Sequence, residues 1–438
     1  MITRIVNAMI VNENSTICGD ILIKNGRIEQ INSQVKGQEN EIIYDAKGNL
    51  LLPGMIDMHV HFREPGVENK GTIKTESRAA VSGGITSIME MPNTKPAATT
   101  NKILEDKYKI ASESCITNYS FYLGASNSNL DELKSVDPKK VCGIKLFLGS
   151  STGNLVVDNK NQIAEIFEHI KIPIALHCEV DEIIKENEIK AKEKYGENIP
   201  FSEHGNIRSR QACLQSTQYA IDLAKKHNTQ IHILHMTTSD ELKLFTNETV
   251  ENKKITVEAC PHHLWFSEED YNTLGPYIKC NPAIKTLADK NALREALKSG
   301  FIDTVGTDHA PHLLSEKDNT YFNAPSGMPI VQSALPSLFE YLSPEMVAEK
   351  TSHNPARIYK CLDRGFIREG YFADLTVINK NKSQTVNKEN ILYKCGWSPF
   401  NGIKFKCTID ATFVNGKIVY EKGQINDVGY GMRLIFDR

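Results

Sequence analysis

An α/β protein is predicted, a (β/α)8 TIM barrel with a small β-sandwich domain formed from both chain ends. Three observations predict it. Eight short apolar segments alternate with longer amphipathic ones through the middle of the chain. Two Asn-Gly pairs, Asn25-Gly26 and Asn415-Gly416, punctuate alternating sequence near opposite ends. Histidines and carboxylates collect where the apolar segments stop, the rim at which barrels carry their chemistry. The expected division is a composite β domain from residues 1–52 plus 366–438 around a catalytic barrel over 53–365.

Each element has its reason. Residues 19–31 alternate apolar and polar around Asn25-Gly26, a strong hairpin signal. Residues 372–378 read as a strand, and 411–420 repeat the hairpin around Asn415-Gly416. Between these ends the barrel strands are expected at 51–56, 85–91, 119–124, 143–148, 172–177, 230–235, 255–260 and 301–306. Amphipathic helices are expected among the intervening segments, for example 207–226 and 290–299. Such strictly alternating units build a parallel sheet closed on itself.

Bulk properties exclude several classes. With 438 residues the chain can bury a large core. A net charge of -3 argues against nucleic acid or an anionic membrane as partner. The first residues lack a signal-peptide pattern, and no apolar run is long enough to span a bilayer. Ten cysteines without a C-x-x-C pair read as reduced thiols, so the expected location is cytoplasmic.

The stretch Asp57-Met-His-Val-His-Phe-Arg-Glu-Pro-Gly66 organises the rest. Strand side chains alternate faces, so His59 and His61 share one, and Arg63 joins them if the strand extends that far. Two imidazoles one strand-step apart suit one metal ion. Nine of the thirteen histidines fall in the strand-end segments, which favours the metal reading over chance. His59, His61, His177, His235 and Asp308 form a donor set suited to Zn²⁺ or a similar ion, large for one site and small for two. Lys145, within Gly143-Ile-Lys-Leu-Phe-Leu148, is a lysine in an apolar strand. Read on residues alone, a head group snorkelling from the barrel mouth is favoured over a metal-bridging carbamate. Asp308 suits a proton carrier or a plain ligand, and the roles are compatible. Arg63, Asn93, Asn281 and His312 can contact a substrate carboxylate, each with a structural alternative. His262 and His263 read as supporting or packing residues, and His232 as core.

Together, His59-Val-His-Phe-Arg-Glu-Pro-Gly66, Met91-Pro-Asn-Thr-Lys-Pro96 and Gly306-Thr-Asp-His-Ala-Pro-His312 resemble the amidohydrolase superfamily, and within it the dihydroorotases. The resemblance covers nearly the whole chain. It implies two Zn²⁺ per subunit on His59, His61, His177, His235 and Asp308, bridged by a carboxylated Lys145, which reverses the reading of that lysine. It implies substrate contacts from Arg63, Asn93, Asn281 and His312, and from the loop at Ser326-Gly327. It also implies a mobile loop at 150–154. The implied reaction is reversible closure of N-carbamoyl-L-aspartate to L-dihydroorotate by a metal-bridged hydroxide, with Asp308 moving the proton. The expected partners are that small-molecule substrate and a second copy of the chain, as a dimer. A hydantoinase or allantoinase, and a non-catalytic scaffold, are the competing readings. Arg63 argues against the first, because those relatives generally lack arginine there.

Overall fold

In the computed structural model, residues 2–149 and 155–438 are described. The 150–154 stretch assigned above to a mobile loop therefore lies outside the described residues. From the N-terminus run β1 (Ile2–Asn12), β2 (Ser15–Lys24), β3 (Arg27–Asn32), β4 (Ile42–Asp45) and β5 (Leu50–Pro53). The barrel strands follow: β6 (Met55–Val60), β7 (Ile85–Glu90), β8 (Asn118–Phe121), β9 (Leu123–Gly124), β10 (Ile144–Leu148), β11 (Ile174–Cys178), β12 (Ile231–Ile233), β13 (Ile255–Ala259) and β14 (Thr304–Val305). The chain closes with β15 (Leu375–Asn379), β16 (Gln384–Thr385), β17 (Lys404–Phe405), β18 (Thr408–Val414), β19 (Lys417–Glu421) and β20 (Gln424–Ile425).

The barrel is a TIM barrel. All its strand pairs are parallel, in two runs, β6-β7-β8 and β9-β10-β11-β12-β13-β14. Tyr122 alone separates β8 from β9, so they are two halves of the expected segment at 119–124. A parallel bridge between Val60 and His309 joins the first strand to the chain following the last, and His61 N donates to His309 O at 2.7 Å. Each residue of β6, β7, β10 and β11 is buried, as parallel strands covered on both faces require. Several flanking helices start at side-chain caps. Ser209 accepts from Ala212 N and so starts the helix Arg210–His227 after Ile207, inside the expected 207–226. Thr286 and Asp289 cap each other and start Leu287–Lys298 before residue 290.

Strands from both ends share one sheet, in the order β20-β19-β18-β15-β5-β1-β2-β3, with β4 beside β1. Its apolar face packs Ile5, Ile21, Leu51, Leu375, Val377 and Phe413 together. Asn25 and Asn415 both take positive φ ahead of a positive-φ glycine, the turn geometry that Asn-Gly accepts most readily. β5 thus belongs to this sheet, and the chain enters the barrel across Gly54, where a Cβ would lie 2.1 Å from Thr86 Cγ2. The expected strand at 51–56 is therefore two strands in two sheets.

Candidate metal centre

Four barrel strands deliver the donor set to one rim. His59 lies in β6 and His61 one residue beyond its end, both from the expected alternation. His177 lies in β11, and His235 follows β12 in left-handed backbone at φ 39°. Asp308, after β14, is also left-handed at φ 51°. Asp308 Oδ1 stands 3.2 Å from His59 Nε2 and 3.1 Å from His61 Nε2. His177 Nδ1 stands 2.9 Å from His235 Nε2, and the His59 and His235 rings are 5.3 Å apart. All five side chains are buried or nearly so.

The outer nitrogens fix the tautomers. His59 Nδ1 donates to Glu258 Oε1 at 2.8 Å, His61 Nδ1 to Asn93 Oδ1 at 2.7 Å, and His177 Nε2 to Glu179 Oε2 at 2.9 Å. A neutral imidazole has one N–H, so the inner nitrogens of these rings carry lone pairs. Two of those lone pairs therefore face the Asp308 carboxylate. Acceptors turned on acceptors repel unless a cation joins them. A proton is one solution: burial opposes charge on His59, but Asp308 and Glu258 overcome it and push its pKa up to about 9. Burial instead holds His61 down to about 4 and His235 well below the usual range. Asp308 is held well below the carboxylate range, because His59 and His61 outweigh its burial. A divalent ion satisfies the same lone pairs at once, and His59, His61 and Asp308 each offer a ligand atom within 4.8 Å of the others. The residues fit a metal, and the carboxylates behind them are the supports that metal-binding histidines use.

Lys145 is 1% exposed, so it does not snorkel to solvent. Its Nζ sits 4.4 Å above the Phe147 ring and makes no hydrogen bond or ion pair among the described residues. Burial pulls its pKa down to about 7, which leaves a large neutral-amine fraction near neutrality.

Beside this centre lies a cationic corner. β6 ends at Val60, so strand alternation does not place Arg63; a left-handed residue at φ 74° does. Arg63 Nε donates to Pro311 O at 3.1 Å, and Nη2 lies 3.0 Å from His312 Nε2. Among the described residues Arg63 has no carboxylate partner. His312 Nδ1 accepts from Lys70 at 3.0 Å, while Nε2 lies 3.0 Å from Ser326 O. Burial and these two cations keep the ring neutral. Ser326 Oγ donates to Asn281 Oδ1 at 2.9 Å. Gly327 takes φ 129°, and a Cβ there would lie 2.7 Å from Ala310 O. Lys317 is fully buried beneath this loop and donates to Pro325 O at 2.8 Å and Gly327 O at 2.9 Å.

Sequence reasoning missed Glu258, Glu179 and Lys317. Asp57 was also unassigned; it accepts from Thr307 N and Oγ1 and ties β6 to the end of β14. The visible signal for Glu258 is a carboxylate inside an apolar strand, Ile255-Thr-Val-Glu-Ala259.

The profile of the amidohydrolase family matches residues 50–419. A dihydroorotase of Methanosphaera stadtmanae is 32% identical over 424 residues, covering 93% of this chain and 94% of that protein. A dihydroorotase of Bacillus subtilis is 31% identical over 436 residues, covering 96% and 98%. Among solved structures, the L-hydantoinase (dihydropyrimidinase) of Arthrobacter aurescens superposes with a TM-score of 0.94 at 26% identity, over 99% of each chain. A dihydropyrimidinase of Brevibacillus agri gives 0.89 at 23% identity, over the whole of both chains, a likeness of fold. The barrel, the convergent histidine and aspartate donors and the match across most of the sequence agree: the chain belongs to the amidohydrolase family.

Proposed function

We propose that this chain is a dihydroorotase, interconverting N-carbamoyl-L-aspartate and L-dihydroorotate in pyrimidine biosynthesis. The observation that carries the choice is Arg63, a cation without a carboxylate partner among the described residues, set against His312 and near enough to His61 and Asp308 for their charges to interact. Dihydroorotate carries a carboxylate on its ring, and hydantoin does not. The sequence relatives at 31–32% identity support the same choice. The high structural likeness to a hydantoinase keeps a second reading in play, a hydrolase of uncharged cyclic amides.

In this reading His59, His61, His177, His235, Asp308 and a carboxylated Lys145 would together hold two zinc ions. Bound there, the ions would acidify water to hydroxide near neutral pH and polarise the ring carbonyl. Asp308 takes the proton of the attacking water and passes it to the departing ring nitrogen. Glu258 and Glu179 hold the His59 and His177 rings in their working tautomers. Arg63 pairs with the substrate carboxylate, and Asn93, already fixed to His61, can offer its amide to the same group. Asn281, His312 and the Ser326-Gly327 backbone bound the ring. The composite β domain (1–52 plus 366–438, a β-sandwich) around a 53–365 barrel belongs to the same proposal, supported by the sheet that unites both ends. So do the homodimer, which sedimentation would test, and the cytoplasmic location. No helix among the described residues is long and apolar enough to cross a membrane.

Turnover of dihydroorotate, hydantoin and allantoin by the zinc-loaded protein tests the assignment. Dihydroorotate should be the preferred substrate. Turnover of either of the others with none of dihydroorotate would overturn the reading.

A further inference from the structure

Beyond β13, the sequence Cys260-Pro-His-His263 turns into the short helix Pro261–Trp265 and buries three soft or borderline donors. Cys260, His262 and His263 each offer a ligand atom within 4.8 Å of the others. The two imidazole rings are 4.1 Å apart. Their hydrogen bonding is incomplete in a particular way. His263 Nε2 donates to Pro282 O at 3.0 Å, which leaves Nδ1 as a lone pair, and that atom is buried with no partner among the described residues. Both ring nitrogens of His262 are also buried without a partner. Leaving a buried polar atom unpaired costs about 1–3 kcal/mol, so three in two adjacent rings call for an occupant. An imidazole whose outer N–H is fixed on a backbone carbonyl, with its other nitrogen bare, has the arrangement of a metal ligand.

We infer that Cys260, His262 and His263 form a further cation site adjoining the catalytic one, suited to a thiophilic divalent ion such as Zn²⁺. A second donor group on the page shares the cysteine: His59, Glu258 and Cys260. In that group His59 Nδ1 and Cys260 Sγ both donate to Glu258 Oε1, at 2.8 and 3.5 Å, and one atom, Glu258 Oε2, is left unpaired, against three nitrogens in the other. The unpaired nitrogens belong to His262 and His263, so the ion is placed there. Binding converts the Cys260 thiol to a thiolate and releases its proton to solvent. The ion would tie the end of β13 to the 280–282 segment through His263, and so brace Asn281.

The test uses sulfur as a label, because the catalytic donor set contains only nitrogen and oxygen. The full-length protein is equilibrated with excess zinc chloride, desalted and measured by zinc K-edge X-ray absorption and metal analysis. A sulfur scatterer at about 2.3 Å is expected in the wild type. Cys260→Ser and His262→Phe should each lose that scatterer and one zinc per chain. A nitrogen and oxygen shell alone in the wild-type protein overturns the inference without any variant, and leaves the dihydroorotase reading standing. Sulfur that persists in Cys260→Ser, or in His262→Phe, also overturns it, the latter by moving the ion to the His59 and Glu258 group.

Discussion

Replacing Arg63 tests the choice of substrate through one side chain. In the structure its guanidinium spends Nε on Pro311 O and sets Nη2 beside His312, which leaves Nη1 without a partner among the described residues. A carboxylate taken there by two charge-assisted hydrogen bonds gains about 1.5–3 kcal/mol from each. Burial pulls Arg63 down only to about 10, so it stays cationic across the working pH range. Arg63→Ala should therefore lose about 3–6 kcal/mol of transition-state binding, a fall in kcat/KM of roughly 10²–10⁴-fold. Arg63→Lys should recover only part, since a point charge cannot reproduce the planar fork. The decisive control is 5,6-dihydrouracil, which has the same ring without the carboxylate. If Arg63 serves the carboxylate, the variant should lose less than about threefold on that substrate, and the cycle isolates the pairing. Metal content should be unchanged, because Arg63 touches none of the proposed ligands. Equal losses on both substrates, or a zinc-free variant, would refute the reasoning.

The other predictions concern the centre and its supports. Asp308→Asn keeps the shape but cannot carry the proton, so kcat should fall by about 10²–10⁴-fold; a rate within tenfold of wild type removes Asp308 from that role. Glu258→Gln should weaken zinc affinity by about 10–100-fold in a chelator competition, since His59 loses its charged acceptor; unchanged affinity would make Glu258 a packing residue. With Lys145 held near pKa 7, ¹³C-bicarbonate should give a protein-bound carbamate resonance that is absent from Lys145→Gln; identical spectra would dismiss the carbamate. Burial also lowers Lys317, from 10.5 to about 7. The unfolded chain then binds the extra proton between those values, so stability should rise with pH from about 7 to 10.5. The gain reaches about 5 kcal/mol at most, and denaturant curves of wild type minus Lys317→Met should show it; a flat difference would mean the ammonium is not desolvated.

What was legible follows from periodicity. His59 and His61 sit two apart at the end of an apolar strand, and period two alone puts them on one face. The eight barrel segments were readable because parallel strands covered on both faces are continuously apolar. Their edges were less so. Pro173 delays β11 to Ile174, and the caps at Ser209 and Thr286 shift the helix starts by a few residues. Arg63, His235 and Asp308 expose the deeper limit. Each reaches the site through a non-glycine residue in left-handed backbone, which no alternation rule anticipates. Such conformations persist only where surrounding contacts impose them, and their concentration around one rim matches the tendency of strained backbone to mark functional sites. Glu258 teaches the converse. A charge inside an apolar strand violates the pattern that identified the strand, and that violation was the available sign of a buried carboxylate facing a histidine. Lys145 carries the same sign on β10. Departures from apolar periodicity within the barrel strands are thus where this chain places its chemistry.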